Sequence, residues 1–271
     1  MSTAFARWTE RFARFWRRGS GRAHVPNDER EEPMGDAANG RHGERHMIPA
    51  RPSALRVTLA LACCAVALAG GYVLSKPFEH VCAGRACQEL VRWLDLDQEA
   101  NLPTWFSSTL WLVAGAIAGA VGAEESRWRW RWFALAALCG FMSLDEASQF
   151  HEIFGTMLGD QVSANRFLFY NWIFYGLAMV LAAGAVFLPF LRAIPRSTAL
   201  RFVLAGAVFV SGAVGLEMIG AASKTGAISL VQGRLWIAQV AVEESLEMAG
   251  VILLIRALLL HQKGRGRAAI V

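Results

Sequence analysis

Long apolar segments fill most of the chain between residues 54 and 260, and they constrain its fold more than any other feature. An apolar segment of about 20 residues can cross a bilayer as a helix, because a helix satisfies its own backbone groups in lipid. We predict an all-α, polytopic membrane protein whose six transmembrane helices pack in one bundle. The predicted spans are residues 54–74, 104–123, 132–155, 167–191, 200–223 and 235–260.

The composition agrees with a membrane protein, since 55% of the residues are hydrophobic, 18% are charged and ten are Trp. A net charge of +5 would also suit a nucleic-acid-binding protein. Here, however, the excess Arg lies in the tails and short loops, where membrane topology uses it. We therefore expect membrane lipid as the partner and no nucleic acid. Homo-oligomerisation is left open.

The distribution of charge predicts the orientation of the spans. Arg residues cluster between the second and third spans, between the fourth and fifth spans, and after the sixth span. The loop of residues 75–103 is instead net acidic. Because positively charged loops stay in the cytoplasm, we predict a bacterial-type inner-membrane protein with both termini cytoplasmic.

The polar N-terminal region, residues 1–52, precedes the transmembrane domain, residues 53–262. Residues 1–18 place aromatic side chains on one side of a helix and Arg around the rest, which predicts an amphipathic helix on the membrane surface. The alternative is a charged, partly ordered tail. Residues 19–52 have no apolar period and predict a disordered linker. Residues 263–271 form a basic cytoplasmic tail.

Two cysteines, Cys82 and Cys87, lie in the predicted external loop. Closely spaced cysteines in an oxidising compartment usually form a disulfide, which we predict here. A metal clip that adds Glu79 and His80 is the alternative, but its spacing matches no familiar zinc or copper motif. The predicted second span also contains Gly115-x-x-x-Gly119, a small-residue face that allows another helix to approach closely.

Ionisable residues interrupt three of the apolar segments. The third span contains S-L-D-E-A-S-Q-F-H-E, residues 143–152, which we expect to lie on one continuous helix. The fifth span contains Glu217, and the sixth contains Glu243, Glu244 and Glu247. Each such group costs roughly 2.5 kcal/mol or more at membrane depth, so ionisable residues there usually mark a pathway or a ligand site.

These residues are predicted to share one site. Counting inward from the external ends of the spans at about 1.5 Å per residue places all of them in the outer half of the membrane. Carboxylates packed together cannot all ionise without a positive partner. No Lys or Arg is expected at that depth, since Arg256 lies near the inner end of the sixth span. The neutralising partner is therefore predicted to be protons or a bound cation.

Carboxylates with one imidazole suit iron, manganese or zinc, and a set of oxygen ligands alone would suit calcium or magnesium. We therefore predict a divalent metal ion. The predicted ligands are Asp145, His151, Glu152, Glu217, Glu244 and Glu247. The predicted catalytic residues are Glu146 and Glu243, as proton shuttles or as partners of the ligands.

Three functions fit this pattern. The favoured prediction is a metal-dependent membrane enzyme that acts on a lipid-like substrate entering from the outer leaflet. The first alternative is a proton- or cation-coupled transporter that uses the same acids as a relay. Against transport, the inner halves of the spans lack matching polar residues, and no broken helix is predicted at the midplane. The second alternative is a structural membrane subunit held together by protonated acids.

Overall fold

The computed structural model describes residues 53–79, 81–82, 84–158, 172–224 and 233–268. Within these ranges all regular structure is helical and no strand is present, as the sequence predicts. The predicted interfacial helix and linker in residues 1–52 lie outside the described residues. So do His80 of the alternative metal clip and residues 269–271 of the tail.

The helices follow one another with short connections. In chain order they are α1 (Ala54–Ser75), α2 (Arg85–Trp93), α3 (Leu102–Glu124), α4 (Arg129–Ser148), α5 (Phe150–Leu158), α6 (Trp172–Ala193), α7 (Arg196–Val210), α8 (Glu217–Lys224) and α9 (Arg234–Ala268). A 3₁₀ turn, Lys76–Phe78, extends α1. A π-helical segment, Ser211–Leu216, joins α7 directly to α8.

Four of the described helical segments are long and apolar enough to cross a membrane. They are Ala54–Phe78, Leu102–Glu124, Ile173–Ala193 and Arg196–Lys224. The helix α4 and the 35-residue helix α9 occupy the positions of the predicted third and sixth spans.

The connections define two ends of the bundle. At the basic end, α3 turns into α4 and α6 turns into α7, next to the Arg residues at positions 127–131 and 192–201. The acidic end carries the loop of residues 94–101, the junction of α4 with α5, the end of α8 and the start of α9. Because successive helices run in opposite directions between these two ends, the acidic residues of different helices lie at the same end of the bundle.

Helices α3 and α4 pack closely because small residues face each other. A Cβ added to Gly115 would lie 3.2 Å from the Cβ of Cys139, and one added to Gly122 would lie 2.9 Å from the Cβ of Trp132. At Gly119 the nearest atom, the Cβ of Ala136, would be 3.8 Å away, which is ordinary contact. Gly115 and Gly122, more than Gly119, therefore set the separation of this pair.

Glycines also bring α9 against α7 and the π-helical segment. A Cβ on Gly250 of α9 would lie 2.6 Å from the Cβ of Phe209, and a Cβ on Gly212 would lie 2.8 Å from the backbone oxygen of Glu243. The extra residue of a π-helical turn changes which face the following residues present. The segment directly precedes Glu217, so this close packing positions that acid beside α9.

Trp132 is the centre of the packing at the basic end. Its side chain is only 1% exposed and meets the ring of Phe190 of α6 edge-on at 4.9 Å between centroids. The ring of Phe202 of α7 lies 6.0 Å away, and that of His261 of α9 lies 5.0 Å away. One buried indole therefore connects four helices and fixes the end of the bundle opposite the acids.

The third predicted span differs from the structure, because it is not one continuous helix. Helix α4 ends at Ser148, and Gln149 has a left-handed backbone conformation with φ of 56°. Its N–H still donates to the backbone oxygen of Asp145, at 2.7 Å, before α5 begins at Phe150. The break turns His151 and Glu152 away from the direction that a continuous helix would give them.

Candidate functional site

A cavity of about 1270 Å³ lies among the helices and has two chemically different walls. Its apolar wall comes from α4, α6, α7 and α9 and includes Leu138, Met142, Met179, Phe187, Phe202, Phe209 and Leu254. Its acidic wall carries nine carboxylate side chains from the loop, α4, α5, α8 and α9. Cavities with mostly apolar linings and a few grouped polar side chains are the usual form of small-molecule sites.

All eight residues that the sequence singled out line this one cavity. They are Asp145, Glu146, His151, Glu152, Glu217, Glu243, Glu244 and Glu247. Asp97 and Glu99 of the loop and Lys224 at the end of α8 also line it, and the sequence interpretation did not include them in the site. The sequence signal for these two acids was their position in an acid-rich loop directly before an apolar helix.

Asp145 and His151 face each other across the break between α4 and α5. The Asp145 Oδ1 accepts a hydrogen bond from the backbone N–H of His151 at 2.9 Å, and Oδ2 lies 3.2 Å from its Nδ1. The Asp145 side chain, in a residue that is 6% exposed, therefore caps α5 and orients the imidazole. The break at Gln149, rather than a shared face of one continuous helix, brings Asp145 and His151 together.

A second group joins α8 to α9. Gln239 Nε2 donates to the backbone oxygen of Leu216 at 3.1 Å and to Glu243 Oε2 at 3.2 Å. Glu243 is 7% exposed and lines the same cavity as Glu217. Gln239 therefore ties α9 to the π-helical segment directly before Glu217.

Glu244 and Glu247 lie one turn apart on α9 and connect the acids of the other elements. Glu244 interacts electrostatically with Glu146 of α4, Glu99 of the loop and Glu217 of α8. Glu247 interacts with Glu244 and with Glu146. The acidic residues of α4, α8 and α9 therefore influence one another's charge through α9.

The loop of residues 94–101 is braced so that its acids lie over the cavity. The side-chain amide of Asn101 donates to the backbone oxygens of Asp95 at 2.5 Å and Gln98 at 2.8 Å, and its Oδ1 accepts from Thr104 N at 3.1 Å. Asp95 Oδ2 also pairs with Lys76 Nζ at 3.0 Å. Both Asp95 and Asn101 are 6% exposed, so the loop has a fixed conformation.

Burial affects the ionisation of both loop acids on the wall. Loss of hydration is the largest cause that raises the pKa of Glu99, and the nearby carboxylates of Glu152 and Asp145 add to it. Burial likewise raises the pKa of Asp97, while a hydrogen bond from Trp236 Nε1, at 3.5 Å, opposes that shift. These groups lie outside the helices that are long enough to cross a membrane.

Lys224 corrects one expectation from the sequence, that no Lys or Arg would reach the acids. Helix α8 continues to Lys224, which lines the cavity, and its Nζ lies 4.4 Å from the centroid of the Trp236 ring. Its charge also acts on Asp97. The sequence interpretation ended the fifth span at Ser223 and counted Lys224 as part of the external turn. It therefore did not predict that Lys224 would line the cavity.

The carboxylates line a common cavity, but they do not already form a metal centre. Among the residues that the structure describes, no three His, Cys, Asp or Glu side chains are grouped closely enough to hold a metal ion. The two cysteines of the clip are joined instead as the predicted disulfide between Cys82 and Cys87. Glu79 of the alternative metal clip forms an ion pair with Lys76, at 3.2 Å.

The sequence of the transmembrane region matches a family model described as a domain of unknown function, DUF8692, over residues 57–262. The chain belongs to this family. The match includes the whole acidic wall of the cavity, from Asp97 to Glu247. No curated protein and no solved structure matches the chain. The description of this family names no activity.

Proposed function

We propose that the chain is a bacterial-type inner-membrane protein with six spans and both termini in the cytoplasm. The four apolar helical segments support this proposal, and α4 and α9 would supply the remaining two spans. The Arg residues at one end of the bundle favour a cytoplasmic basic end and an external acidic end. Reporter fusions at Glu125 and Arg196 should report cytoplasm, and a fusion at Asp95 should report the external side.

We further propose that the protein is a membrane enzyme whose cavity takes up a lipid-like substrate. The observation that carries this proposal is that one cavity joins a long apolar wall to a group of carboxylates. A hydrocarbon tail would lie along α6 and α7, and the polar head would lie among the acids. The tail would pass from the bilayer to this wall, so packing contacts, rather than removal of the tail from water, would hold it there.

In this proposal Glu146 and Glu243 transfer protons at the substrate head. Glu243 is suited to the role because it lines the cavity and its carboxylate accepts a hydrogen bond from Gln239. A divalent metal ion, with iron, manganese or zinc preferred over calcium or magnesium, would be held by a subset of the six predicted ligands. One or two carboxylates can hold such an ion when water or substrate completes its shell.

Occupancy of the cavity can be tested with a pair of glycine variants. A Cβ on Gly184, on the cavity wall, or on Gly70 of α1, away from it, would have no atom within 4 Å. Gly184→Leu should therefore narrow the cavity at this wall without a backbone clash, and Gly70→Leu is the matched control. Native mass spectrometry should detect a bound lipid-like molecule in the wild type and in Gly70→Leu, and much less in Gly184→Leu. Equal occupancy in all three proteins would contradict the proposal.

Metal dependence is tested separately by elemental analysis of the purified protein. The proposal predicts about one equivalent of a transition metal that is lost in Glu244→Gln and in Glu247→Gln. Chelation should also lower the Tm, because a ligand that binds only the folded state stabilises it. Metal-free protein whose Tm responds neither to chelator nor to added metal would remove the ion from the proposal and leave protonated acids as its replacement.

Transport is the second candidate, and two breaks in helical regularity favour it. Transporters often bind their substrates where helices are interrupted. Here α4 is interrupted at Gln149, beside Asp145, and the π-helical segment directly precedes Glu217. Proton-dependent flux in liposomes that disappears in Glu217→Gln, without stoichiometric metal in the wild type, would favour the transporter over the enzyme.

A further inference from the structure

Two hydrogen-bond donors on the cavity wall lack an acceptor. The indole N–H of Trp111 and the hydroxyl of Tyr175 are buried, and neither has a hydrogen-bond partner among the residues that the structure describes. Both residues line the cavity, and Trp111 is only 7% exposed. Buried polar groups are normally paired, because an unpaired donor loses its hydration without compensation. The two donors therefore call for a bound molecule that can accept hydrogen bonds.

Neighbouring aromatic rings hold both donors in place. The ring of Trp111, on α3, meets the ring of Phe209 edge-on, with 5.1 Å between the centroids. The ring of Tyr175, on α6, stacks on the ring of Phe154 of α5 at 5.1 Å. Rotation of either side chain toward another part of the protein would break these contacts. The missing acceptor is therefore expected from the ligand of the cavity.

Both donors lie near the border between the acidic wall and the apolar wall. Tyr175 is the cavity-lining residue of α6 that is nearest the acidic end of that helix. On α3, the Ser108 hydroxyl donates to the backbone oxygen of Ser143 of α4 at 2.9 Å. From that level, Glu146 lies about one turn toward the acidic end and Trp111 about one turn toward the basic end. A ligand with its head beside the acids would therefore place the start of its chain beside the donors.

We propose that the ligand of the cavity is an acyl lipid, whose hydrocarbon chain is joined to its head group by an ester or amide carbonyl. This inference rests on the proposed function, because it names the class of the lipid-like substrate. Oxygens of the linkage would accept hydrogen bonds from Trp111 and Tyr175, and the chain would extend past Met179 and Phe187. Both donors are neutral groups, so this preference does not depend on which acids of the wall are ionised.

The carbonyl distinguishes this class from other lipids. A carbonyl oxygen accepts hydrogen bonds through two lone pairs, whereas an alkyl chain has no acceptor and would leave both donors unpaired. An ether oxygen is a weaker acceptor than a carbonyl oxygen. A site built around hydrogen-bonding groups discriminates against an analogue that lacks their partner, because its buried polar groups are then left unpaired. The two donors therefore favour an acyl chain over an alkyl chain of the same length.

The test compares two neutral amphiphiles that share a glycerol head and a chain length: monododecanoylglycerol, with an ester carbonyl, and monododecylglycerol, with an ether. Each is titrated into the purified full-length protein below its micellar concentration, and bound adducts are counted by native mass spectrometry. We expect the ester to bind at least about fivefold more tightly than the ether. Gly184→Leu should bind much less of both compounds, and Gly70→Leu should bind them as the wild type does.

Tyrosine variants test one of the two hydrogen bonds. Tyr175→Phe removes only the hydroxyl and should weaken ester binding about threefold while leaving ether binding unchanged. Tyr72→Phe is the matched control, because Tyr72 is 0% exposed and its hydroxyl also lacks a partner among the described residues, but it does not line the cavity. Without ligand neither variant should lower the Tm, since each removes an unpaired buried hydroxyl. A structural role for the Tyr175 hydroxyl would lower the Tm instead.

A tryptophan variant tests the other hydrogen bond. Trp111→Phe removes the indole N–H, and we expect it to weaken ester binding about threefold more than ether binding. Trp105→Phe is the control, because Trp105 is 64% exposed on the same helix and does not line the cavity. If the smaller ring at position 111 prevents folding, which its Tm would reveal, Tyr175→Phe still decides the question.

The outcomes separate this inference from the proposed function. Equal affinity for the ester and the ether, with both lost in Gly184→Leu, would overturn the acyl linkage and leave the lipid-like substrate in place. An ester preference that is unchanged in Tyr175→Phe would overturn the inference as well, as would its loss in Tyr72→Phe, because the carbonyl would then be bound elsewhere. Binding of neither compound would contradict both the inference and the proposed cavity function.

Discussion

Asp145 and His151 form a two-point contact across the break in the third predicted span. One carboxylate oxygen accepts a hydrogen bond from the backbone N–H of His151 at 2.9 Å, and the other lies 3.2 Å from its Nδ1. The break at Gln149 leaves the first N–H groups of α5 without helical partners, and the Asp145 side chain satisfies one of them. The same contact holds His151 and Glu152 at the mouth of the acidic wall.

Two substitutions of Asp145 should destabilise the protein to different extents, because they remove different parts of this contact. Asp145→Asn keeps an oxygen that can cap α5 but loses the charge facing His151, and Asp145→Ala loses both. We expect Asp145→Ala to cost about 1 to 2 kcal/mol, with a smaller loss for Asp145→Asn. Thermal unfolding in detergent measures both changes. Glu89→Ala, at an exposed position on α2 that does not line the cavity, is the control. Equal losses in all three variants would contradict the capping role.

The two glycines Gly119 and Gly122 should respond differently to the same substitution. A Cβ on Gly122 would lie 2.9 Å from the Cβ of Trp132, so Gly122→Ala should force α3 and α4 apart at a cost of about 1 to 3 kcal/mol. Gly119→Ala meets ordinary contact and should be neutral or stabilising by up to about 1 kcal/mol, because Ala favours a helix. Tm values in one detergent compare them, and the reverse order would contradict the packing.

The raised pKa of the loop acid Glu99 predicts that its effect on protein stability depends on pH. Burial raises its pKa, so the folded state holds the proton more tightly than the unfolded state does. The stabilisation of the folded state by Glu99 is therefore fully present below the pKa that Glu99 has in the unfolded chain. It is lost as pH rises through the pKa that Glu99 has in the folded protein. Glu99→Gln should raise the Tm relative to the wild type near pH 8 and have little effect near pH 4. Glu89→Gln, at an exposed acid on α2, is the control. A change in Tm for Glu99→Gln that is the same at both pH values would contradict this explanation.

Much of the fold follows from local sequence signals. Apolar length located the helices that can cross a membrane, and the acid-bearing apolar segments contained every residue that was predicted for the site. The break at Gln149 gave no such signal, because no Gly or Pro occurs in residues 143–152 and the apolar pattern continues into α5. A left-handed Gln depends on the capping carboxylate of Asp145, which is a contact that local propensity does not encode.

The parts of the site that were missed depend on tertiary contacts. Glu99 reaches the wall because Asn101 and the Lys76–Asp95 ion pair brace a loop that the sequence presents only as external and acidic. Lys224 reaches it because α8 continues past the predicted end of the fifth span. Grouping the acids into a metal centre required distances that helical periodicity alone does not supply, and the described residues contain no such group.

The disulfide gives a chemical prediction that does not depend on the proposed function. After denaturation without reduction, an alkylating reagent should modify Cys63, Cys64 and Cys139 and leave Cys82 and Cys87 unmodified. Reduction beforehand should expose the remaining two thiols. Peptide mass spectrometry distinguishes these cases. Modification of Cys82 and Cys87 without a reductant would contradict the bond and the external placement of the loop that it implies.

The central claim is that carboxylates from separate helices meet in one cavity, and cross-linking tests it most directly. Cysteines are introduced in place of Glu146 on α4 and Glu244 on α9, in a background where Cys63, Cys64 and Cys139 are Ala. A short bifunctional maleimide should join the two positions, because both side chains line the same cavity. The control pair of Glu89 and Glu244 should not be joined. A Glu146 and Glu244 pair that reacts fully with a monofunctional maleimide yet never cross-links would contradict the shared cavity.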